Sequence, residues 1–301
     1  MTRKGIWDIQ DVRDKQLQSL WKQSYSLFMW SGNNRGELGQ NNTVRYSSPI
    51  QVPGANWSVL CQKRCNVDNE TTTYFSIKDD GTLWSWGGNS GGTLGHSQSY
   101  STIKEKSSPV QVGSDTNWAN ATTGAITAFG TKTDGTFWSW GRNTKGGLGH
   151  NQSTPTEISS PVQLPGTTWS TNLDQSSAGM HICQQIKTDG TLWMWGDNEA
   201  GQLGQNSRTY YSSPVQIPGT SWQSIGGCLN VSLAIKTDGT MWGWGGEGLS
   251  LGLNSQTEYS SPVQIPGTTW DLCAAAGSCG LGHKSDNTLW VWGNNNYGRL
   301  G

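Results

Sequence analysis

The residues of this 301-residue chain that could do chemistry are four histidines, six cysteines and a recurring aspartate. His96 and His150 follow a Leu-Gly pair at equivalent places in two similar segments, whereas His181 and His283 occupy other places. A catalytic histidine acts within one specific constellation of a base, a nucleophile and an orienting group. The repetition of His96 and His150 therefore predicts a structural role rather than a unique active site.

The recurring aspartate lies in an Asp-Gly-Thr triplet that opens a tryptophan-rich run. Paired carboxylates hydrolyse glycosidic bonds, and the triplet resembles the Asp-boxes of sialidase propellers, although those boxes have a different spacing. No isolated acidic pair, nucleophile elbow, phosphate loop or zinc-spaced cluster stands out in the sequence. The sequence predicts a non-enzymatic protein without catalytic residues, metal or cofactor. A carbohydrate-active enzyme stays open as an alternative.

The six cysteines are Cys61, Cys65, Cys183, Cys228, Cys273 and Cys279. Their irregular spacing does not form a disulfide framework, and Cys61 with Cys65 lacks the second pair that a zinc site needs. Free cysteine behaves as a small apolar residue when buried. We therefore predict buried free thiols, which indicate synthesis in a reducing compartment.

A repeat must position all of these residues, because close copies of one motif cover most of the chain. The clearest copy is Lys-Thr-Asp-Gly-Thr-Leu-Trp-Met-Trp-Gly-Asp-Asn at residues 187–198, closed by Gly-Gln-Leu-Gly at residues 201–204. An eroded copy, without the Asp-Gly pair, covers residues 27–32. Five copies carry two tryptophans: Trp84 and Trp86, Trp138 and Trp140, Trp193 and Trp195, Trp242 and Trp244, and Trp290 and Trp292. The copies recur about every fifty residues, which is typical of a repeat protein.

Each copy reads as two strands joined by a tight turn. Asp-Gly between apolar runs supplies the positive φ angles of a two-residue hairpin turn, so the glycines of this turn are predicted structural residues. They are Gly81, Gly135, Gly190 and Gly239. Two tryptophans spaced two apart share one face of a strand, and in the clearest copy Leu192 and Met194 make the other face apolar as well. Both faces are therefore expected to be covered by stacked sheets, with the tryptophans as structural core residues.

A second marker, Ser-Ser-Pro followed by an apolar-Gln-apolar triplet and a further tryptophan, runs in phase with the first. These marker tryptophans are Trp57, Trp118, Trp169, Trp222 and Trp270. Strand-rich units of this period fit the blades of a β-propeller, which leaves only short sheet edges. A solenoid is the competing architecture, and it fits the Trp-Gly pattern less well.

The Asp-Gly-Thr-Leu-Trp-Xaa-Trp-Gly, Gly-Xaa-Leu-Gly and Ser-Pro-Val-Gln elements resemble the regulator of chromosome condensation repeat family across residues 27–301. The resemblance implies an all-β propeller with six or seven blades. The uniform repeats look more like bacterial or bacteriophage members than like the eukaryotic exchange factor. The eukaryotic founding member is a nucleotide exchange factor for a small GTPase, so a regulator of this kind is a second alternative function. Other members act as interaction scaffolds.

The net charge of −1 gives no basic field for nucleic acid or for anionic membranes, so neither is an expected partner. No apolar run is long enough to span a bilayer, and the chain does not open with a hydrophobic signal segment. A location in a virion or in the cytoplasm is expected.

Residues 1–26 do not match the repeat, and their apolar residues fall near helical spacing among charged ones. We predict a short amphipathic helix that either caps the propeller or anchors it to a larger virion assembly. The repeat also stops at a Leu-Gly that elsewhere leads into Ser-Ser-Pro. This suggests a C-terminal truncation or a ring with fewer blades.

Five tyrosines lie in or beside the segments that vary most between copies, among amides and hydroxyls. They are Tyr46, Tyr100, Tyr210, Tyr211 and Tyr259. Variable loops on a rigid scaffold carry binding, and tyrosine suits recognition of sugars or protein surfaces. The alternative is that these segments are solvated turns. The sequence favours a binding or structural module, virion-associated or displayed on a surface, that holds a protein or glycan surface.

Overall fold

A computed structural model describes residues 25–61, 73–179, 181–228, 230–246, 248–276, 279–295, 298 and 300. The helix predicted within residues 1–26 falls almost wholly outside these ranges. The first full copy also carries an insertion at residues 62–73, which lies outside these ranges apart from its last residue.

The Asp-Gly turn joins two antiparallel strands in each copy, but it is longer than predicted. The amide of Lys187 donates to Thr191 O at 2.9 Å, and the amide of Gly190 donates to Lys187 O at 2.9 Å. Gly190 has a φ of +78°, whereas Asp189 is not among the positive-φ residues. Three residues therefore separate the bonded pair, as in a type I turn followed by one left-handed residue. The prediction of a two-residue turn was wrong. A two-residue type I′ turn needs a positive φ at both central residues, whereas here only the glycine has one.

The described residues form twenty-one strands in six sheets. A two-stranded sheet contains β1 (Phe28–Ser31) and β2 (Tyr46–Gln51). The next sheet contains β3 (Trp57–Leu60), β4 (Thr73–Lys78), β5 (Leu83–Gly88) and β6 (Glu105–Gln111). The third contains β7 (Trp118–Thr123), β8 (Thr127–Lys132), β9 (Phe137–Arg142) and β10 (Glu157–Leu164).

The fourth sheet contains β11 (Ser176–Ala178), β12 (Ile182–Ile186), β13 (Leu192–Gly196) and β14 (Tyr211–Gln216). The fifth contains β15 (Trp222–Cys228), β16 (Val231–Lys236), β17 (Met241–Gly245) and β18 (Tyr259–Ile265). The last has three described strands, β19 (Trp270–Ala276), β20 (Cys279–Lys284) and β21 (Leu289–Gly293). Short 3₁₀ turns cover Ser90–Gly92, Thr144–Gly146, Leu173–Gln175 and Gly248–Leu251.

Within every sheet the strands follow chain order and pair antiparallel. Neighbouring sheets contact each other through their first strands, such as β11 with β15 and β15 with β19. The first strands therefore lie innermost, and the Ser-Ser-Pro strands β2, β6, β10, β14 and β18 lie outermost. This arrangement confirms the prediction of an all-β propeller with blades of about fifty residues.

The core lies between the blades. One buried cluster joins Ile182, Leu192 and Met194 of the fourth sheet to Trp222 and Trp244 of the fifth. A second joins Phe129 and Phe137 of the third sheet to Trp195 of the fourth. Both faces of β13 are thus covered, as the apolar residues on its two faces predict.

The first and last sheets along the chain each expose large apolar side chains to solvent. Trp30 is 58% exposed and Trp290 is 51% exposed, although the equivalent tryptophans of inner blades are buried or half-buried. Among the described residues, no further sheet covers these side chains. The number of blades in a closed ring and the suggested truncation remain predictions.

Candidate functional site

The repeated aspartate belongs to the hairpin turn. Asp189 Oδ1 accepts hydrogen bonds from the Thr191 amide at 3.0 Å and from the Thr191 hydroxyl at 2.6 Å. The Thr191 hydroxyl oxygen accepts from Trp193 Nε1 at 2.9 Å. These bonds stabilise the carboxylate, and the Thr191 hydroxyl contributes most to lowering the pKa of Asp189. The same geometry recurs at Asp80, Asp134, Asp238 and Asp286, so these residues act as turn formers, as predicted.

A lysine clamps two tryptophans in five of the six sheets, a feature that the sequence reasoning missed. Lys187 Nζ lies 4.6 Å from the ring centroid of Trp169 and 4.1 Å from that of Trp193. The two indoles meet edge to face at a centroid distance of 6.4 Å. The equivalent lysines are Lys78, Lys132, Lys236 and Lys284. The sequence does contain a signal for this feature, because a lysine begins the turn in all five copies.

A buried asparagine organises the loop that follows the tryptophan-bearing strand in four copies, and its role too was missed. Asn198 Nδ2 donates to Ser207 O at 2.8 Å and to Thr209 O at 2.9 Å, and Asn198 Oδ1 accepts from the Leu203 amide at 2.9 Å. Asn33, Asn89 and Asn143 make similar bonds. The loops that contain the variable segments are therefore held firmly to the blades.

The five candidate tyrosines fall into two groups. Tyr46, Tyr211 and Tyr259 begin outer strands and pair with Ser31, Gly196 and Gly245 in their blades. They are half-buried, and Tyr211 and Tyr259 pack against core clusters. Tyr100 and Tyr210 lie in loops and are 36% and 42% exposed. These two are the most exposed of the five candidates.

Tyr210 belongs to a charged cluster at the loop ends of the third, fourth and fifth sheets. We name this group, Lys145, Asp197, Glu199, Arg208, Tyr210 and Glu258, the loop-end cluster.

Lys145 of the third sheet bonds Asp197 at 2.7 Å and Glu199 at 2.8 Å in the fourth. Burial opposes the charge of Lys145, but the bonds to the two carboxylates outweigh it and raise its pKa. The Tyr210 hydroxyl donates to Glu199 at 2.5 Å, and Lys145 Nζ lies 5.1 Å from the Tyr210 ring centroid. Hydrogen bonds from Lys145 and Tyr210 lower the pKa of Glu199. Its carboxyl therefore stays ionised at neutral pH.

Arg208 extends the cluster across the next blade boundary. Its guanidinium donates to Glu258 at 2.6 Å and to Glu199 O at 2.8 Å. An arginine, an ordered tyrosine and several carboxylates thus share one exposed surface, and their positions are fixed before any ligand arrives.

The four histidines have different surroundings. His96 and His150 lie beneath outer strands, where burial lowers their pKa. His181 lies near the loop-end cluster, with Nδ1 3.5 Å from the Thr144 hydroxyl, and burial lowers its pKa too. His283 Nδ1 bonds Asp271 at 2.6 Å at the open side of the last sheet.

Cys61, Cys183 and Cys273 are buried free thiols, as predicted. Burial raises the pKa of Cys61 to about 12, which suppresses its reactivity. Cys228, in contrast, is disulfide-bonded, so the prediction of a free thiol there was wrong. Spacing along the chain does not report which thiols meet in space.

Within the described ranges, no group of three or more His, Cys, Asp or Glu residues could hold a metal ion. No helix of the described residues has the length and apolar character that crossing a bilayer requires.

Comparison with known proteins identifies the repeat. The model of the regulator of chromosome condensation (RCC1) repeat matches residues 80–125, 134–181 and 189–230, so RCC1 repeats are present in this chain. Human E3 ubiquitin-protein ligase HERC2 is 23% identical over 202 residues, which are 67% of this chain and 4% of that protein. The Ultraviolet-B receptor UVR8 of Arabidopsis thaliana is 23% identical over 197 residues, which are 65% of this chain and 43% of that protein. The chain thus spans less than half the length of either relative.

Solved structures of related proteins share the fold. Human WBSCR16 superposes with a TM-score of 0.72 and 18% identity, covering 90% of this chain and 74% of that one. Yeast RCC1 (Prp20), solved with Kap60 bound, gives a TM-score of 0.52 and 15% identity, covering 89% of this chain and 78% of that one. A further structure of Prp20p from Saccharomyces cerevisiae, described with its binding properties to Gsp1p and histones, has a TM-score of 0.51 and 15% identity, covering 93% of this chain and 83% of that one.

Proposed function

We propose that this chain of RCC1 repeats is a non-enzymatic binding module that holds a protein partner against the loop ends of its third, fourth and fifth sheets. The observation that carries the proposal is the loop-end cluster, in which Lys145, Glu199 and Tyr210 bond each other across a blade boundary. Tyrosine and arginine are the residues that dominate binding energy at protein interfaces. Prp20, which has the same fold, binds a protein, and this supports the class of partner.

The mechanism is preorganisation. Asn198 holds the loop, and Glu199 with Lys145 orients the phenol of Tyr210. A partner that contacts Tyr210 and Arg208 would order few additional side chains, so less conformational entropy would be lost on binding. The exposed carboxylates of Glu199 and Glu258 favour a partner surface with basic or amide groups.

The two alternative functions receive less support. A glycosidase needs a carboxyl whose pKa is raised so that it can act as the acid. Asp197 and Glu199 both bond Lys145, and the pKa of Glu199 is lowered, which is the opposite of this requirement. For a nucleotide exchange factor, the similarity to Prp20p at 15% identity extends to the fold alone.

The experiment compares three forms of the purified chain as bait for proteins from its own source. These are the wild type, a Tyr210→Ser/Arg208→Ala double variant, and a Thr220→Ala control at the exposed opposite ends of the blades. Each captured protein is then titrated against all three forms by calorimetry. A partner that binds the wild type and the control at least about tenfold more tightly than the double variant supports the proposal. Equal binding to all three forms would contradict it.

From the sequence pattern alone we also propose that the propeller is associated with a virion and that residues 1–26 anchor it there. Deletion of residues 1–24, followed by electron microscopy of particles and a thermal melt, tests this idea. Normal incorporation of the shortened chain would refute the anchor, and a lowered melting temperature with normal incorporation would indicate a capping role.

A further inference from the structure

Two clefts lie at equivalent places between neighbouring blades, away from the loop-end cluster. Their volumes are about 570 Å³ and 420 Å³, within the usual range for small-ligand sites. Residues of the first cleft include His96, Gln111, Trp118, Trp138, Ser160 and Pro161. Their counterparts in the second are His150, Gln163, Trp169, Trp193, Ser213 and Pro214. Equivalent residues of successive repeats therefore line both clefts.

A histidine lines each cleft and bonds the blade that carries it. His96 Nε2 lies 3.0 Å from the Ser85 hydroxyl and 3.3 Å from Val110 O. A carbonyl only accepts, so Nε2 carries the proton and the ring is held against its own blade. His150 makes the matching contact to the Ser139 hydroxyl at 2.9 Å. Burial lowers the pKa of both histidines, so neither adds charge to its cleft at neutral pH.

Glutamine takes the same position in two other blades and bonds the outer strand of its own blade. Gln205 Nε2 donates to Gln216 O at 2.9 Å, and Gln40 Nε2 donates to Gln51 O at 2.8 Å. Gln216 and Gln51 are the outer-strand counterparts of Gln111 and Gln163. The glutamine thus ties the loop to the outer strand, as His96 does through Val110 O. This natural exchange of histidine for glutamine supplies a substitution that the fold already tolerates.

The walls that the two clefts share are rigid and neutral. Lys132 and Lys187 clamp the tryptophan pairs, and backbone bonds from Ser97 to Ser159 and from Asn151 to Ser212 fix the rims at 2.8 Å and 2.6 Å. Asp115 lines only the first cleft, and Lys187 lines only the second. A ligand that fits both clefts should therefore be neutral. The groups that can bind it in both are the indole and pyrrolidine rings, the glutamine amide and the serine hydroxyl.

An extended peptide fits these clefts poorly. A peptide that adds to a sheet edge needs a row of backbone donors. The outer strands that border the clefts carry Pro109, Pro161 and Pro214, and each proline removes one donor. A sugar needs no such row, because its ring C–H face packs on an indole while its hydroxyls bond amides and hydroxyls.

We propose that these two clefts are binding sites for neutral hexose units of a glycan, one unit in each cleft. A chain of such units that reached both clefts would gain affinity from the two sites together. The proposal does not depend on the loop-end cluster or on a protein partner.

The test titrates the purified full chain with maltohexaose, cellohexaose and a sialylated hexasaccharide of similar size, using calorimetry and the indole N–H signals in NMR spectra. We expect at least one neutral oligosaccharide to bind with a millimolar or tighter Kd and to shift the signals of Trp138 and Trp193, which Trp138→Phe and Trp193→Phe identify. Failure of both neutral oligosaccharides, binding of the sialylated one alone, or shifts confined to other tryptophans would overturn the proposal.

Three variants separate specific binding from chance contact. His96→Gln/His150→Gln replaces the imidazole that lines each cleft with a flexible amide, and it should weaken binding at least about tenfold, with an unchanged melting temperature at pH 7.5. Gln205→His lies outside both clefts, so it is the control and should leave the number of sites at two. Gln111→Ala/Gln163→Ala should weaken binding without affecting the core. Undiminished binding by both double variants would also overturn the proposal, whereas a loss caused by Tyr210→Ser/Arg208→Ala would place the sugar at the loop-end cluster instead.

Discussion

The indole Nε1 of Trp195 donates a hydrogen bond of 3.1 Å to the backbone carbonyl of Gly147 in the preceding blade. The second tryptophan of each copy does the same. Its other occurrences are Trp86 to Glu37 O, Trp140 to Thr93 O, Trp244 to Gln202 O and Trp292 to Ser250 O, at 2.7–2.9 Å. A buried indole N–H needs an acceptor, and here that acceptor always belongs to the neighbouring blade. One residue therefore supplies both the apolar contact and the polar bond between blades.

Trp195→Ala should lower the free energy of unfolding by about 3–5 kcal/mol, because it leaves a cavity between two blades and a carbonyl without its donor. Trp195 is 0% exposed. Trp290→Ala serves as the control, since that ring is half exposed, and it should cost about 1 kcal/mol or less. Urea titration followed by circular dichroism measures both values. Equal losses for the two variants would mean that Trp195 is not the main contact between the blades.

Asn198→Asp should lower the free energy of unfolding by about 2–5 kcal/mol, although it changes only one atom of the side chain. The asparagine Nδ2 bonds two carbonyls, Ser207 O and Thr209 O, and a carboxylate there would face them without a donor. Asn206→Asp, in the exposed part of the same loop, is the matched control and should be nearly neutral. Urea titration at pH 7 gives both values. A cost for Asn198→Asp as small as that of the control would show that the loop does not depend on this residue.

The strand pattern, the blade period and the tryptophan core follow from the sequence, because the motif around Trp193 and Trp195 repeats with little change. The roles of Lys187 and Asn198 were also within reach, since each recurs in phase, but their partners are backbone carbonyls and rings that come together only in the folded blade. The sequence predicted only part of the loop-end cluster. Tyr210 was a candidate because it is an aromatic residue in a variable loop. Its partners were not, because Lys145 belongs to the third sheet and Glu199 to the fourth, and the two share no motif.

Thr191→Val should raise the pKa of Asp189 toward the ordinary value of an aspartate, because it removes the hydroxyl that contributes most to lowering it. A lowered carboxyl pKa stabilises the fold above the unfolded pKa of about 3.9, and this stability is lost as the pH falls through the lower folded value. The variant should therefore lose stability at pH 7 and show a weaker acid dependence. A carbon-detected NMR titration of Asp189 measures the shift, and Thr188→Val, at the preceding residue, is the control. An unchanged Asp189 titration would rule out the hydroxyl as the cause.

The buried histidines should make the propeller less stable in mild acid. Burial lowers the pKa of His96 and His150 below the ordinary value near 6.5, so the unfolded chain binds more protons than the folded chain between the two pKa values. Stability should be highest above about pH 7 and should fall as the pH drops through 6.5 toward the folded pKa, below which it levels off.

His96→Gln/His150→Gln should flatten this dependence, while Gln205→His, which places a third histidine at an equivalent position, should steepen it. Urea titrations of the three proteins at several pH values between about 7.5 and 5 compare the slopes. His181, which is also buried, leaves a residual slope common to all of them. A slope that is the same in the wild type and the double variant would mean that His96 and His150 protonate without strain in the fold. The open clefts beside them would then have to admit enough water to solvate the charge.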